Sequence, residues 1–512
     1  MYMTAFRLIA AGLLLLGHPA LSGQNFNRPV PKNVPPYDFV QYDSSYQGYY
    51  LTAPFPLGGN TANASLPLMI LDSKGFLFWY MPLAARNLLD FKFNSAAQLY
   101  QFVKFHNPQE VQYVLMDTGF NPVDSFTTVN GILPDIHDFQ ISSDHTFLLA
   151  GASDTILDLS AYLFNGTPGA ANTRALGFVV QEFDADHNLL FQWNSNDHIH
   201  PGEAYANYPY SAAAFDYCHG NSIEEDTDGN LLLSFRNLNA VYKIDRHSGD
   251  ILWQMGGKTS SFTFANDAGF SGQHDARRLP NGNIALFDNA NQAAPPRISR
   301  AVEYQLDTLN WVATKVWEYQ HAPGFFSPAM GCHQTTTDRR HLINYGLVFR
   351  PNPSVVLTDD DGKRLSELVF QDSFVIYRSY LFDLPLTGAQ RPVISCAQNG
   401  GTVTLSAPAG YERYAWSTGE TAASISVQAP GVYQLWVSHG AGMLGSEPFV
   451  IPDVSTACQA SDVSETGGPD DPAPLEYFDL LGRKISPPEG PRTGSQLYVV
   501  RFADGRARLR LH

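Results

Sequence analysis

The chain has 512 residues, of which 13% are aromatic and only 16% charged, and its formal net charge is −17. That length has room for several domains around sizeable cores, and an acidic chain with no basic run excludes nucleic acid and anionic membrane surfaces as natural partners. An aromatic-rich, charge-poor balance fits a β-rich exported protein better than a helical cytosolic one.

Residues 1–23 read as a secretory signal: Arg7 supplies the positive start, an apolar stretch too short to span a bilayer follows, and small residues lie before Gln24. No later segment is apolar enough to cross a membrane, so the expected protein is secreted or displayed at the cell surface and is not integral to a membrane.

Residues 24–388 form the first expected domain. From about Tyr37 the sequence is a succession of short β-like runs separated by Gly, Asn, Asp and Pro. Two patterns alternate. One runs from a histidine through a polar loop to an Asp-Gly-Asn or Asn-Gly-Asn turn and an apolar strand, as from His219 across Asp228-Gly229-Asn230 to Phe235 and from His274 across Asn281-Gly282-Asn283 to Phe287. The other is a hairpin ending in tryptophan, at Trp79, Trp193, Trp253 and Trp317. Two hairpins make four strands, the unit of a propeller blade. Lead histidines at 137, 219, 274 and 333, with further units toward the N-terminus, predict a six-bladed β-propeller; residues 153–172 read as a looped insertion.

Beyond a composition shift at 385–392, residues 389–453 predict an Ig-like β-sandwich around Trp416. It is similar to surface-protein modules of secreted bacterial proteins. Cys396 and Cys458 bracket this module and are candidates to pair, whereas Cys218 and Cys332 read as buried thiols. Residues 454–473, rich in Asp, Ser, Gly and Pro, read as a linker. Residues 474–512 carry Asp479-Leu-Leu-Gly-Arg483 and Tyr498-Val-Val-Arg501 and resemble the C-terminal sorting domain of the type IX secretion system. That resemblance implies the secretion machinery as a partner and export through periplasm and outer membrane. The expected whole is all-β: propeller, Ig-like sandwich and a small β-rich tail.

In a propeller the first strand of each blade lines the axis, so one repeated position projects one side chain per blade to the centre. His137, His219, His274 and His333 are expected there, with Arg236 ending the second strand of the His219 unit. Imidazole serves as nucleophile, general acid or base, or metal ligand. A guanidinium in the same pocket matches the oxygens of sulfate, phosphate or carboxylate, and a cation beside a bound metal is disfavoured.

The stretch from about 135 to 346 resembles the arylsulfotransferase family, the bacterial PAPS-independent aryl-sulfate sulfotransferases. The resemblance rests on Ile136-His137-Asp138, Cys218-His-Gly-Asn-Ser-Ile223, Ser234-Phe-Arg236, Trp253-Gln-Met-Gly-Gly-Lys258, Gln273-His274-Asp275 and Leu286-Phe-Asp-Asn289. It implies a six-bladed propeller and a ping-pong transfer of a sulfuryl group from a phenolic sulfate ester to a phenolic acceptor through a sulfohistidine, without cofactor or metal. By motif the nucleophile falls on His274, with His137, His219 and Arg236 protonating the leaving phenolate and binding sulfuryl oxygens. His333 and Asn221 are the candidate substrate-binding residues. A four-histidine metal enzyme and a non-catalytic propeller that binds a sulfated or other anionic ligand are the competing readings.

Overall fold

The computed structural model describes residues 28–458, except 58–65, 83–86, 108–109, 206–209, 372, 383–388 and 400–401, together with the backbone of four short strands between residues 474 and 511. The proposed signal at 1–23 lies outside the described residues, as do most of the linker and the Asp479–Arg483 motif of the tail, whereas Tyr498–Arg501 lies on the strand Leu497–Phe502. The chain is nearly all-β; the helical residues described are short 3₁₀ turns such as Ser195–Asp197.

Between residues 37 and 382 the strands form six antiparallel sheets, each with a core of four strands in up-and-down order. Five are continuous in sequence. The second sheet starts with Asn87–Asn94, the third with Leu133–Ile141, the fourth with Gly220–Glu225, the fifth with His274–Arg278 and the sixth with Cys332–Thr335. The first sheet is assembled from both ends of this region: Phe374–Phe382 is its first strand and pairs with Tyr49–Pro56, followed by Leu68–Leu71 and Leu77–Met81. The N-terminal strand Tyr37–Gln41 adds instead to the edge of the sixth sheet, against Arg364–Phe370. These exchanged pairings join residues more than 300 positions apart, and the six first strands touch one another in a closed circuit.

Both faces of most strands are buried, because each sheet packs on two neighbours. Leu231–Phe235 is buried at every position. One apolar cluster fills each gap around the circuit, such as Phe178, Trp193, Leu233 and Tyr242 between the third and fourth sheets and Leu232, Leu286, Val302 and Trp253 between the fourth and fifth. At roughly 25 cal/mol per Å² of apolar area buried, these gaps supply the main driving force for closing the circuit. Turn chemistry follows the Asp-Gly-Asn and Asn-Gly signals: Gly229 and Gly282 adopt φ of +82° and +88° in tight turns where a side chain would be strained.

The expected insertion at 153–172 is only partly a loop. Phe147–Leu157 and Thr173–Phe183 pair along eleven residues each, so the hairpin extends past the sheet, and Leu163–Phe164 and Thr167–Pro168 form a small ribbon beyond it.

Residues 395–451 form short antiparallel strands around a fully buried Trp416, and Cys396 and Cys458 are disulfide-bonded. Cys218 and Cys332 are buried thiols. This segment is not a free module. Gly442–Gly445 pairs with Leu77–Met81 and extends the first sheet to seven strands, while Gln434 Nε2 and Trp436 Nε1 donate to the Leu77 carbonyl at 2.9 and 3.1 Å.

Candidate active site

Three of the four lead histidines and Arg236 meet where the first strands begin. His137 lies on Leu133–Ile141, and His219 immediately precedes Gly220–Glu225. Arg236 follows Leu231–Phe235, and His274 opens His274–Arg278. The strands are locally irregular at this end. His219 takes φ of +49° with a bulge between Gly220 and Ser222, and Asp275 takes φ of +58° with a bulge between His274 and Arg277. Bulges re-aim side chains that a regular pleat would turn between the sheets.

His137 and His219 are each tied to a carboxylate. His137 Nδ1 lies 2.5 Å from Asp135 Oδ1 and His219 Nδ1 2.5 Å from Asp216 Oδ2, leaving Nε2 of each ring for chemistry. The two rings stand edge to face, 4.8 Å between centroids. Burial, the largest influence on His137, favours its neutral form, but the charge and hydrogen bond of Asp135, helped by Asp216, outweigh it and raise its pKa. A small cleft opens beside this pair, lined by Asp135, Asp216, Gly177 and Phe178 as well as the histidines.

His274 is in the opposite condition. It is buried, and Nδ1 faces two oxygens, Asn289 Oδ1 at 2.7 Å and the Gly272 carbonyl at 3.1 Å. The orientation of the Asn289 amide is fixed because its Nδ2 donates to the carbonyls of Ser327 and Met330. The proton of His274 therefore sits on Nδ1, and Nε2 carries the lone pair, which accepts the Met330 N–H at 3.2 Å. Desolvation, then the charge of Arg236, then His219 and His137 hold this imidazole well below the usual histidine range, against the hydrogen bond that Nδ1–H donates to Asn289 Oδ1. Arg236 donates Nη1 to Asn237 Oδ1 and Nη2 to the Pro328 carbonyl at 3.2 Å. One short loop, 327–331, thus lies across both the arginine and the histidine.

Two predicted substrate contacts are corrected. His333 does not join the cluster. Its strand pairs regularly with His341–Asn344, without a bulge, so the pleat turns the ring between the fifth and sixth sheets, fully buried under Trp317. Asn221 is also fully buried, and both ends of its amide serve the backbone of the neighbouring strand: Nδ2 donates to the Gln273 carbonyl at 2.8 Å and Oδ1 accepts the Asp275 N–H at 3.3 Å. It positions the His274 strand and does not face a substrate.

Asp275 does not orient His274 either. Its carboxylate pairs with Arg277 at 2.7 Å and Arg378 at 3.3 Å. These belong to a buried ionic hub that the sequence did not announce. Lys92 bridges Asp90 and Asp138, Arg277 reaches Asp138 and Glu224, and Arg378 reaches Asp90 and Asp138. Burial pushes the Asp138 carboxyl up, but Arg277, Lys92 and Arg378 together hold it well below the usual range. Every member comes from a first strand, so the hub knits five of the six strands beneath the histidines. Only tertiary closure assembles it, because its members are spread from residue 90 to residue 378. Asn289 was also missed, although Leu286-Phe-Asp-Asn289 was a recognisable motif.

An all-β scaffold that presents a neutral buried imidazole, two carboxylate-tied imidazoles and a guanidinium defines a site for transferring an anionic group. The arylsulfotransferase (ASST) family matches residues 105–371, about half of the chain, and the chain belongs to that family. The family's activity is aryl sulfotransfer between small aryl sulfates and phenols. No curated protein matches the chain. Solved structures similar to it include a protein of unknown function from Bacteroides caccae, 12% identical over 66% of this chain and 100% of that one at TM-score 0.42. Others are a virginiamycin B lyase from Staphylococcus aureus (10%, 72% and 95%, TM-score 0.32) and the β-propeller domain of Cps50 (Swd1) from Myceliophteria thermophila (8%, 72% and 92%, TM-score 0.34). Among the described residues no helix is long and apolar enough to cross a membrane.

Proposed function

We propose that this chain is a six-bladed propeller enzyme that moves a sulfuryl group from an aryl sulfate to a phenol through a sulfohistidine on His274. The observation that carries the assignment is the opposed state of two imidazoles, His274 held neutral with an unprotonated Nε2 that accepts only the Met330 N–H, and His137 held toward its protonated form. The six sheets whose first strands touch in a circuit support the blade count.

In the first half-reaction the Met330 amide gives up Nε2 of His274, which attacks the sulfur. An N–S bond forms and the S–O bond to the aryl group breaks. The departing phenolate takes a proton from Nε2 of His137, whose Asp135 partner stabilises the protonated ring, with His219 standing beside it. Arg236 exchanges the neutral Pro328 carbonyl for a sulfuryl oxygen and binds the charge in the transition state. In the second half-reaction a phenol gives its proton back to the same imidazole and attacks sulfur, and the N–S bond breaks. Neither step calls for a cofactor or metal.

The 389–453 segment is proposed to be an Ig-like sandwich anchored on the first sheet, and the ends of the chain to be a signal and a type IX sorting tail. On that reading the enzyme works outside the cytoplasm.

Incubation with p-nitrophenyl sulfate alone tests the mechanism. The expected results are one equivalent of p-nitrophenol and a mass gain of one sulfuryl group on the peptide that contains His274. A His274→Ala protein that turns over normally would overturn it. Stoichiometric anion binding with no turnover by the wild type would favour the non-catalytic reading.

A further inference from the structure

His333, displaced from the axis, enters a second cluster. On the sixth sheet, His333 and Thr335 lie on the first strand and His341 on the second; Glu303 reaches them from the third strand of the fifth sheet. His333, His341 and Glu303 are all fully buried. Four atoms converge. His333 Nε2 lies 3.1 Å from His341 Nδ1, and Thr335 Oγ1 lies 3.3 Å from the former, 3.2 Å from the latter and 2.9 Å from Glu303 Oε1. Glu303 Oε1 is 3.7 Å from His341 Nδ1. A tetrahedron with metal–ligand bonds near 2.0–2.1 Å has edges of about 3.3 Å. These separations are of that size.

Hydrogen bonds alone do not account for the arrangement. His341 Nε2 lies 3.0 Å from Asp360 Oδ1, and a carboxylate only accepts, so in the neutral ring Nδ1 is a bare lone pair directed at the cluster. The Thr335 hydroxyl has one proton, and His333 can offer at most one more at Nε2, for four contacts within hydrogen-bond distance. His333 Nδ1 makes no hydrogen bond of full geometry, but the Val302 and Leu286 carbonyls on the fifth sheet hydrogen-bond the ring, which favours a proton on Nδ1 and turns the Nε2 lone pair toward the cluster. One cation at the centre would use every inward lone pair at once. The surroundings have the form that metal ligands take. His341 gives its outer N–H to a carboxylate, which orients the ring and raises its basicity. Arg339 Nη1 donates to both oxygens of Glu303 at 3.0 Å, so an ion would share that carboxylate with a guanidinium, which fixes its orientation and costs some affinity through like charge. Trp317 stacks on His341 with 3.7 Å between ring centroids, which walls the site. Asp360, half exposed, places the cluster one residue below the surface, within reach of an entering ion.

We propose that His333 Nε2, His341 Nδ1 and Glu303 Oε1 bind a divalent zinc ion, with the Thr335 hydroxyl or a water completing a tetrahedron. Two nitrogens, a carboxylate and tetrahedral spacing suit zinc better than the hard, oxygen-seeking magnesium or calcium. The ion is structural. It clamps the fifth sheet, which carries His274, to the sixth, and it takes no part in sulfuryl transfer.

Untagged wild-type protein, dialysed against dipicolinate and reloaded with zinc chloride, should retain one zinc per chain after gel filtration and melt at a higher temperature than the stripped form. The same protein loaded with cobalt should show the intense visible d–d bands of a tetrahedral site. His333→Gln with His341→Gln should reduce bound metal at least tenfold, whereas His274→Ala should bind as the wild type does. Wild-type protein without stoichiometric zinc, or with cobalt showing only weak octahedral bands, would overturn the proposal whatever the variants do. Loss of metal on His274→Ala would overturn it as well, by moving the ion to the axis.

Discussion

Arg236→Gln tests the electrostatics of the site most directly. In the resting structure Nη1 donates to Asn237 and Nη2 to the Pro328 carbonyl, and the latter bond is the one proposed to be exchanged for a sulfuryl oxygen. One charge-assisted hydrogen bond to an anion is worth about 1.5–3 kcal/mol, so its loss in the transition state lowers the sulfuryl-transfer rate by about 10- to 150-fold. A second effect has a different signature. Arg236 is, after burial, the strongest influence holding His274 deprotonated. Glutamine removes that charge, so the His274 pKa rises, and the rate should fall as pH drops through it, where the wild type stays level. Arg236→Lys keeps the charge and loses the fork, so it should be slower without the new acidic limb. The assay is the pre-steady-state burst of p-nitrophenol from pH 5 to 8. An Arg236→Gln enzyme within about threefold of wild type, with an unchanged pH profile, would refute the assignment of Arg236.

Asn289→Ala removes the acceptor that fixes the His274 tautomer and leaves the Ser327 and Met330 carbonyls without their shared donor. A stability loss of about 2–4 kcal/mol and a burst slowed more than tenfold are expected, with Asn289→Gln recovering neither; urea unfolding and burst kinetics measure the two. Stability should also fall below about pH 6.5. The folded pKa values of His274, His333 and His341 are lowered, so on acidification the unfolded chain takes up protons that these native rings refuse, while His137, raised, opposes them. His274→Gln should reduce that acid slope by up to about 1.4 kcal/mol per pH unit, read from urea midpoints at pH 7.5 and 5.5. Reducing or deleting the Cys396–Cys458 bond, which joins positions 62 residues apart, should destabilise the 395–458 segment by about 4 kcal/mol and leave the burst intact, because His274 lies in other sheets.

Much of the site was legible in sequence because it is made of repeated local units. A histidine, a polar turn with a positive-φ glycine and an apolar strand announce themselves within twenty residues. His137, His219, His274 and Arg236 stand in such units, whereas the pairing of Cys396 with Cys458 was suggested separately, because the two bracket one module. What repetition could not convey is where a single bulge falls. His274 and His333 look equivalent in their units, yet the kink at Asp275 aims one ring at the axis, and the regular pleat at His333 buries the other between sheets. Alternation in a strand has period two, so one residue of irregularity decides which face a side chain joins.

The sequence by itself determined the β-strand alternation, the turns and the motif residues that carry the family match. Those are properties of neighbours along the chain. Tertiary structure alone decided which charges share the axis, which oxygens accept the Nδ1 proton of His274, that Tyr37–Gln41 and Phe374–Phe382 trade places to close the circuit, and that Gly442–Gly445 continues the first sheet. Each of these depends on contacts between residues far apart in sequence, whose energies exist only once the loops between them have closed.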